Sequence, residues 1–471
     1  MKGKFILLTA LITLIFSSLL KAQSDGTLDT SFIIGTGFEN GTVNTIALQN
    51  DGKILIGGSF TRYNGVSTNH IVRLNYNGDL DSSFNIGNGF SDDVEAIALQ
   101  TDGKILVGGK FQNYDGSFQN GIVRLNNDGS KDTSFKVTFN GVVRSIKIQT
   151  DGKILLGGSV KRPNGTSKSL LRLNTDGSID SSFISGVGFN TPIHSILLQN
   201  DEKILIGGGF TNYNGTNRTG IIRLNKNGTL DTSFVIGSGF NGGDVYTLAL
   251  QTDGKIIAGG TFTGYNGNSR NYIARLDSNG SLDSNFIIGA SFFGDDNYAD
   301  VRSIAVQTDQ KILVGGNFTK FKNTNSNGIA RLNNDGSFDT TFTIGTGFYS
   351  YPISSFINVI TLQPDARILI GGGFTKYNNV ARNRIVRLNN SILSISDLNK
   401  KINKVYPNPV KNILYFSQEM KSINIYSTDG RIIRKYNSGN SINVSSLQNG
   451  TYNIFMKDIY GNIISEKFIK N

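Results

Sequence analysis

Short apolar runs, each bounded by clusters of Gly, Asn, Asp and Ser, recur along most of this chain. In Asp51-Gly-Lys-Ile-Leu-Ile-Gly-Gly-Ser-Phe60 the run from Lys53 to Ile56 is continuous and β-branched, which predicts a strand buried on both faces, too short for a helix. Residues 43–49 predict a strand before it. Only Asn50, Asp51 and Gly52 separate the two, so they should form a tight hairpin with glycine at the left-handed position. Residues 71–75 predict a third strand, turning at Asn77-Gly78 into a fourth over residues 80–84.

This group of four repeats. The double glycine recurs as Gly57-Gly58, Gly108-Gly109, Gly157-Gly158, Gly207-Gly208, Gly259-Gly260, Gly315-Gly316 and Gly371-Gly372, at spacings of 51, 49, 50, 52, 56 and 56 residues. A steady period of this size marks a repeat architecture. Four short antiparallel strands per period predict an all-β fold, a seven-bladed β-propeller of four-stranded blades that stack face to face around an axis. A leucine-rich solenoid would have a shorter period, and no 3.6-residue helical pattern is present. The glycine pair loosely suggests kelch blades, yet the chain has no Trp.

A second motif runs in step: Asp25-Gly-Thr-Leu-Asp-Thr-Ser-Phe32, Asn77-Gly-Asp-Leu-Asp-Ser-Ser-Phe84, and five further copies ending at Phe135, Phe183, Phe234, Phe286 and Phe342. Together with the Arg-Leu-Asn/Asp strands and the Gly-Gly-x-Phe strands, these copies over residues 25–389 resemble the delta-60 repeat family of bacterial secreted proteins. The resemblance implies a propeller-like domain with no common activity. The third copy departs most, with Val160 and Pro163 where other copies carry aromatic residues. The last blade lacks a fourth strand, and residues 28–32 are an orphan copy of one, so the N-terminus should close the ring and cover the open edge. The fifth and sixth periods run longest, with additions before the next blade around residues 292–298 and 348–356. These place Phe292, Phe293, Tyr298, Tyr349, Tyr351 and Phe356 on neighbouring connections, the candidate ligand-binding residues, since insertions on one face of a repeat protein often form its binding surface and aromatic rings suit sugar faces or protein anchors.

The two ends of the chain have their own patterns. Lys2 and Lys4 precede an apolar run over residues 5–16, as in a secretory signal peptide, with residues 1–22 removed on export. No later stretch is long and apolar enough to span a bilayer. Residues 391–403 form a polar linker from a repeat domain of residues 24–390, and residues 404–471 alternate as strands of a small C-terminal immunoglobulin-like β-sandwich. In that segment Tyr406-Pro-Asn-Pro409, Ile425-Tyr-Ser-Thr-Asp-Gly430, Asn449-Gly-Thr-Tyr452 and a basic last strand ending at Lys470 resemble the type A C-terminal sorting domain of type IX secretion. The resemblance implies a Gram-negative cell, that secretion machinery as partner, loss of the domain at the outer surface, and a protein displayed there or released.

The net charge of +11 bears on partners only once it is located. Three lysines lie in residues 1–23, and residues 398–471 hold eleven Lys or Arg against four Asp or Glu, leaving +1 for the repeats. A basic nucleic-acid footprint is therefore absent from the propeller.

Chemistry is sparse. Asp29, Asp81, Asp132, Asp180, Asp231, Asp283 and Asp339 recur in every blade, whereas an active site sets one or two carboxylates in distinct environments. They should bond turn backbone or pair with the repeated Arg73, Arg124, Arg172, Arg223, Arg275, Arg331 and Arg387. No cofactor is expected. Calcium is the one ion the pattern admits, at residues 126–132, which crowd oxygen ligands near a glycine but lack the closing Glu. His70 and His194 stand alone in sequence, no Cys is present, and the glycine pairs end apolar strands rather than opening a phosphate loop. The expected function is a non-catalytic, secreted or cell-surface binding or adhesive propeller for a glycan or protein. The alternative is an extracellular polysaccharide-acting enzyme, for which Asp295, Asp296 and Asp300 would be the acid cluster; it rests on fold analogy.

Overall fold

The computed structural model describes residues 24–162, 169–289, 292–294, 298–350, 355–390, 405, 407–428, 431–458 and 463–471. The expected signal peptide, the linker and Tyr351 lie outside these residues, as do Asp295 and Asp296. Among the described residues every regular element is a strand. The chain divides into two compact units, the repeats and the C-terminal segment.

In the first repeat Val43–Leu48 pairs antiparallel with Ile54–Gly58, which pairs with Ile71–Leu74, and the same three-stranded order recurs in all seven blades. In the first blade the middle and third strands are buried at every residue, as their unbroken apolar runs require. Gly52 takes φ +84° in the hairpin turn, while Glu202, Gln310 and Ala366 hold the equivalent left-handed position at +66°, +68° and +70°. The first strands stand side by side around the axis, so they are the inner strands of the ring.

Two features of each blade differ from four plain strands. The predicted fourth strands are reduced to single bridges such as Leu74↔Leu80 and Leu224↔Leu230. The reason is local: Asp81 accepts the Ser83 backbone and hydroxyl hydrogens, and Phe84 N–H bonds Asp81 O, so the chain turns out of the ladder at once. The loop between second and third strands is also not free. It forms a hairpin, Arg62–Tyr63 with Val66–Ser67, that pairs with Phe38–Glu39. Phe38 packs on Phe60 and Tyr63, and the Tyr63 hydroxyl donates to Gly78 O at 2.6 Å, folding the hairpin back over its blade. In the third blade Val160 replaces the phenylalanine, and the inner strand instead runs on as Asn140–Ile148 against Ile154–Lys161.

The ring closes as the orphan motif requires. Leu28 bridges Leu388, Asp29 N–H donates to Arg387 O at 2.9 Å, and Asn389 N–H donates to Thr27 O at 2.8 Å. On the inner side Asn358 of the last blade donates to Val43 O of the first at 3.2 Å.

The C-terminal unit is a five-stranded antiparallel sheet of Ile413–Ser427, Ile432–Tyr436, Gly439–Asn443, Gly450–Asp458 and Ile463–Lys470. Its long first strand pairs with Gly439–Asn443 through its first half and with two other strands through its second. Leu414, Phe416, Ile423, Ile425, Ile454 and Phe468 build a core of its own.

Candidate functional site

The repeated carboxylates come first because they are the most numerous acids. Each meets the arginine eight positions earlier: Arg73 Nε to Asp81 at 2.6 Å, Arg124 to Asp132 at 2.7 Å, and so on to Arg387, which takes Asp29 from the other end of the chain at 2.6 Å. Each guanidinium also lies 4.6–4.8 Å from the centroid of the motif's phenylalanine, and most donate to a carbonyl in the next blade's turn, as Arg172 does to Lys226 O. Burial works against the Asp132 and Asp180 carboxylates, but Lys104, Lys153, the motif serines and the arginines outweigh it and hold both well below the ordinary value. These groups latch one blade to the next. In residues 126–132 Asp128 Oδ1 accepts from Ser130, and both Asp132 oxygens are engaged by Ser134, Arg124 and Lys104.

The predicted aromatic residues separate into groups. Phe292 is a correction: it is 2 % exposed and packs on Phe318 and Phe321, because it is the sixth blade's copy of Phe38 rather than part of an insertion. Phe293 and Tyr349 stand exposed, on short strands paired with Lys320–Phe321 and Lys376–Tyr377. Tyr298 is half exposed, and its hydroxyl donates to Asp300 at 3.3 Å. Phe356 lies under the Arg302 guanidinium at 4.5 Å. Tyr298 and Phe356 therefore meet around one arginine, on neighbouring connections. Asp300 is fully buried, with Arg302 on both its oxygens at 2.9 Å, which removes it as a free acid.

Arg302 leads to a site the sequence reading missed. Every inner strand carries a β-bulge near its start or, in the third blade, in its middle, where the pairing register skips one position: Asn44, Glu95, Arg144, His194, Tyr246, Arg302 and Asn358. A bulge re-aims a side chain out of the pleat, and here neighbouring bulge residues reach each other from blade to blade. Arg144 Nη1 lies 3.4 Å from His194 Nδ1, and the His194 and Tyr246 rings meet edge to face at 5.2 Å. Arg302 donates to Asn358 Oδ1 at 3.2 Å, Asn358 to Asn44 Oδ1 at 3.1 Å, and Asn44 to Val94 O at 3.4 Å. Just outside this ring Asp244 bonds His194 Nε2 at 3.1 Å, and Lys110 bridges Asp93 and Glu95. All seven bulge residues are half-buried. Burial and the charge of Arg144 hold the His194 imidazole below its usual range, although Asp244 pulls the other way. The result is a polar mouth to the central channel with donors, acceptors and both charges. The signal was present in sequence: aligned on Val43, one position reads Asn, Glu, Arg, His, Tyr, Arg, Asn between near-constant neighbours.

A cleft of about 480 Å³ lies between Phe118 and Phe139, where the third repeat's connection is shortened.

Comparisons with known proteins agree with this architecture. The family described as "Domain of unknown function (DUF5122) beta-propeller" matches at residues 49–84, 100–135, 149–183, 199–234, 251–286, 307–342 and 363–391, just over half of the chain. The "Secretion system C-terminal sorting domain" matches residues 404–471. No curated protein matches. Among solved structures, the chain is similar to PorZ, a surface component of the type-IX secretion system of Porphyromonas gingivalis, at 16 % identity and TM-score 0.38, covering 96 % of this chain and 60 % of that one. It is similar to the extracellular domain of BT4673 from B. thetaiotaomicron at 14 % identity and TM-score 0.48, covering 94 % and 53 %, and to a virginiamycin B lyase of Staphylococcus aureus at 13 % and 0.37, covering 78 % and 98 %. The chain thus spans less than two thirds of the length of the first two. With its seven repeats and its sorting domain, the chain belongs to the DUF5122 beta-propeller family and is a secreted or outer-surface protein of a Gram-negative bacterium.

Proposed function

We propose that the propeller is a non-catalytic binding or adhesive module that presents its channel mouth, with Tyr298 and Phe356 beside it and Phe293 and Tyr349 farther out, to an extracellular glycan or protein. One observation carries the reading: seven bulges place seven side chains on one ring, and there residues of different charge and shape follow one another from blade to blade. Packing alone would keep such a position uniform, as it does for the latches. In the same reading the single-bridge segments are fourth strands cut to one pair, and the C-terminal sheet is a small immunoglobulin-like sandwich whose first strand passes between its two layers.

The test is a glycan array followed by calorimetry on the secreted protein. Replacing Tyr246 and Tyr298 by Ala is expected to weaken binding at least about tenfold with the melting temperature little changed; unchanged binding removes the site. A second reading, a polysaccharide-acting enzyme, draws on the His194–Asp244 pair, a base held by its orienting acid. Turnover of a bacterial or host polysaccharide that disappears in His194→Ala would establish it in place of the binding reading.

A further inference from the structure

The third blade differs from the others at one more position along its inner strand. Where the other blades carry Ala47, Ala98, Leu197, Ala249, Ala305 and Thr361, it carries Lys147. Two residues before, on the same face, the Ser145 hydroxyl oxygen accepts the Ile196 N–H of the fourth blade at 3.2 Å. This face therefore looks across the seam between third and fourth blades, the seam that Arg144 crosses to reach His194. Lys147 is open to water, yet the surrounding strands strip enough solvent from its ammonium to push its proton affinity down. Among the described residues no acid or carbonyl bonds it; Glu95 on the ring is engaged by Lys110, and Asp244 outside it by His194. An ammonium without a bonded partner adds no contact to the fold, and an alanine at this position serves four other blades. The lysine is thus not there for the fold.

We infer that the seam between third and fourth blades receives the carboxylate of an acidic saccharide, held by Lys147 in the channel and Arg144 at its mouth. The inference rests on the channel mouth being a binding site. An ammonium and a guanidinium three positions apart on one inner strand suit an anionic group flanked by hydroxyls. The rest of the ring suits those hydroxyls: the carboxamides of Asn44 and Asn358 both donate and accept, and Tyr246 offers a ring face with a polar tip. None of the seven ring residues is aliphatic, so the ring offers no apolar anchor for a peptide side chain.

The experiment is calorimetry of the full secreted protein with oligogalacturonate, with neutral oligogalactose of the same length, and with oligoglutamate, for the wild type, Lys147→Ala, Lys147→Arg and Arg144→Ala. Oligogalacturonate is expected to bind about tenfold or more tighter than oligogalactose, with that preference lost in Lys147→Ala and Arg144→Ala and largely kept in Lys147→Arg. Lys147→Ala should melt no lower than the wild type, which separates lost binding from lost fold. Equal binding of acidic and neutral oligomers, indifferent to Lys147, overturns the inference and leaves the binding function standing. Oligoglutamate binding as tightly, with the same dependence on Lys147, overturns it in favour of an acidic peptide. Failure of every probe, with no hit on the glycan array, removes the saccharide reading of the function as well.

Discussion

At the scale of residues, the molecule depends on its seven Arg–Asp–Phe latches. Arg124 is buried between Asp132 and the Phe135 ring and also bonds the third blade's turn, so Arg124→Ala leaves Asp132 buried with Lys104 as its one remaining cation. The expected loss is about 3 kcal/mol, read as a lower urea midpoint, and Arg124→Met combined with Asp132→Leu should recover much of it. The latches also set the response to acid. Burial opposes ionisation of Asp132, Asp180, Asp231 and Asp339, but their hydroxyl, lysine and arginine partners prevail, so the folded values lie below the 3.8 of a free aspartate. A depressed carboxylate stabilises the fold above its unfolded value and ceases to as pH falls through the folded one. The melting temperature should therefore hold from neutral pH to about 5 and drop steeply below about 4; a flat profile down to pH 2 would mean that the latches contribute little.

At the scale of elements, the glycine pair and the bulge are two sides of one contact. A Cβ on Gly57 would lie 2.4 Å from the Val94 side chain of the next blade, and one on Gly58 would lie 2.0 Å from Thr42 O. The first glycine lets blades close on each other, and the second lets the inner strand pass close enough to bulge. Gly109→Ala meets the backbone oxygen of Asp93 at 2.0 Å, which cannot move as a side chain can, so a loss of about 1–3 kcal/mol is expected. Glu95 should also shift, visible as a change in its binding contribution. The closing strand is a second element-level dependence. Deleting residues 24–34 removes the Asp29 partner of Arg387, the Phe32 ring beneath it and the backbone bonds to Asn389. The deletion variant is expected to unfold at a markedly lower temperature and to expose Arg384–Asn389 to proteolysis; a melting curve like that of the intact chain would show that the ring does not need its clasp.

At the scale of the whole molecule, the two compact units divide the work. The near-neutral repeats carry the site, and the basic C-terminal sheet matches a sorting domain. Removing residues 404–471 should leave the propeller folded but held in the periplasm, and mass spectrometry of the released wild-type protein should find that segment cut away. An intact C-terminus on surface or released protein would contradict this.

What the chain determined by itself is what depends on neighbours in sequence. Apolar runs beside Asp-Gly and Asn-Gly turns specify which strands pair, a fixed period specifies seven blades, and the Arg and Asp spaced eight apart specify the latches. Even the clasp was legible, because Leu28 to Phe32 is a motif without its blade. Tertiary structure decided where the variable residues go. Phe292 read as part of an insertion, but its blade packs it as Phe38 is packed in the first. Arg144, His194 and Tyr246 are about fifty residues apart, and their runs look like ordinary strand until a bulge turns one side chain out of each pleat and the closed ring brings those side chains together. Periodicity records which face of a strand is buried. It does not record that seven inner edges share one axis, and the candidate site exists only on that axis.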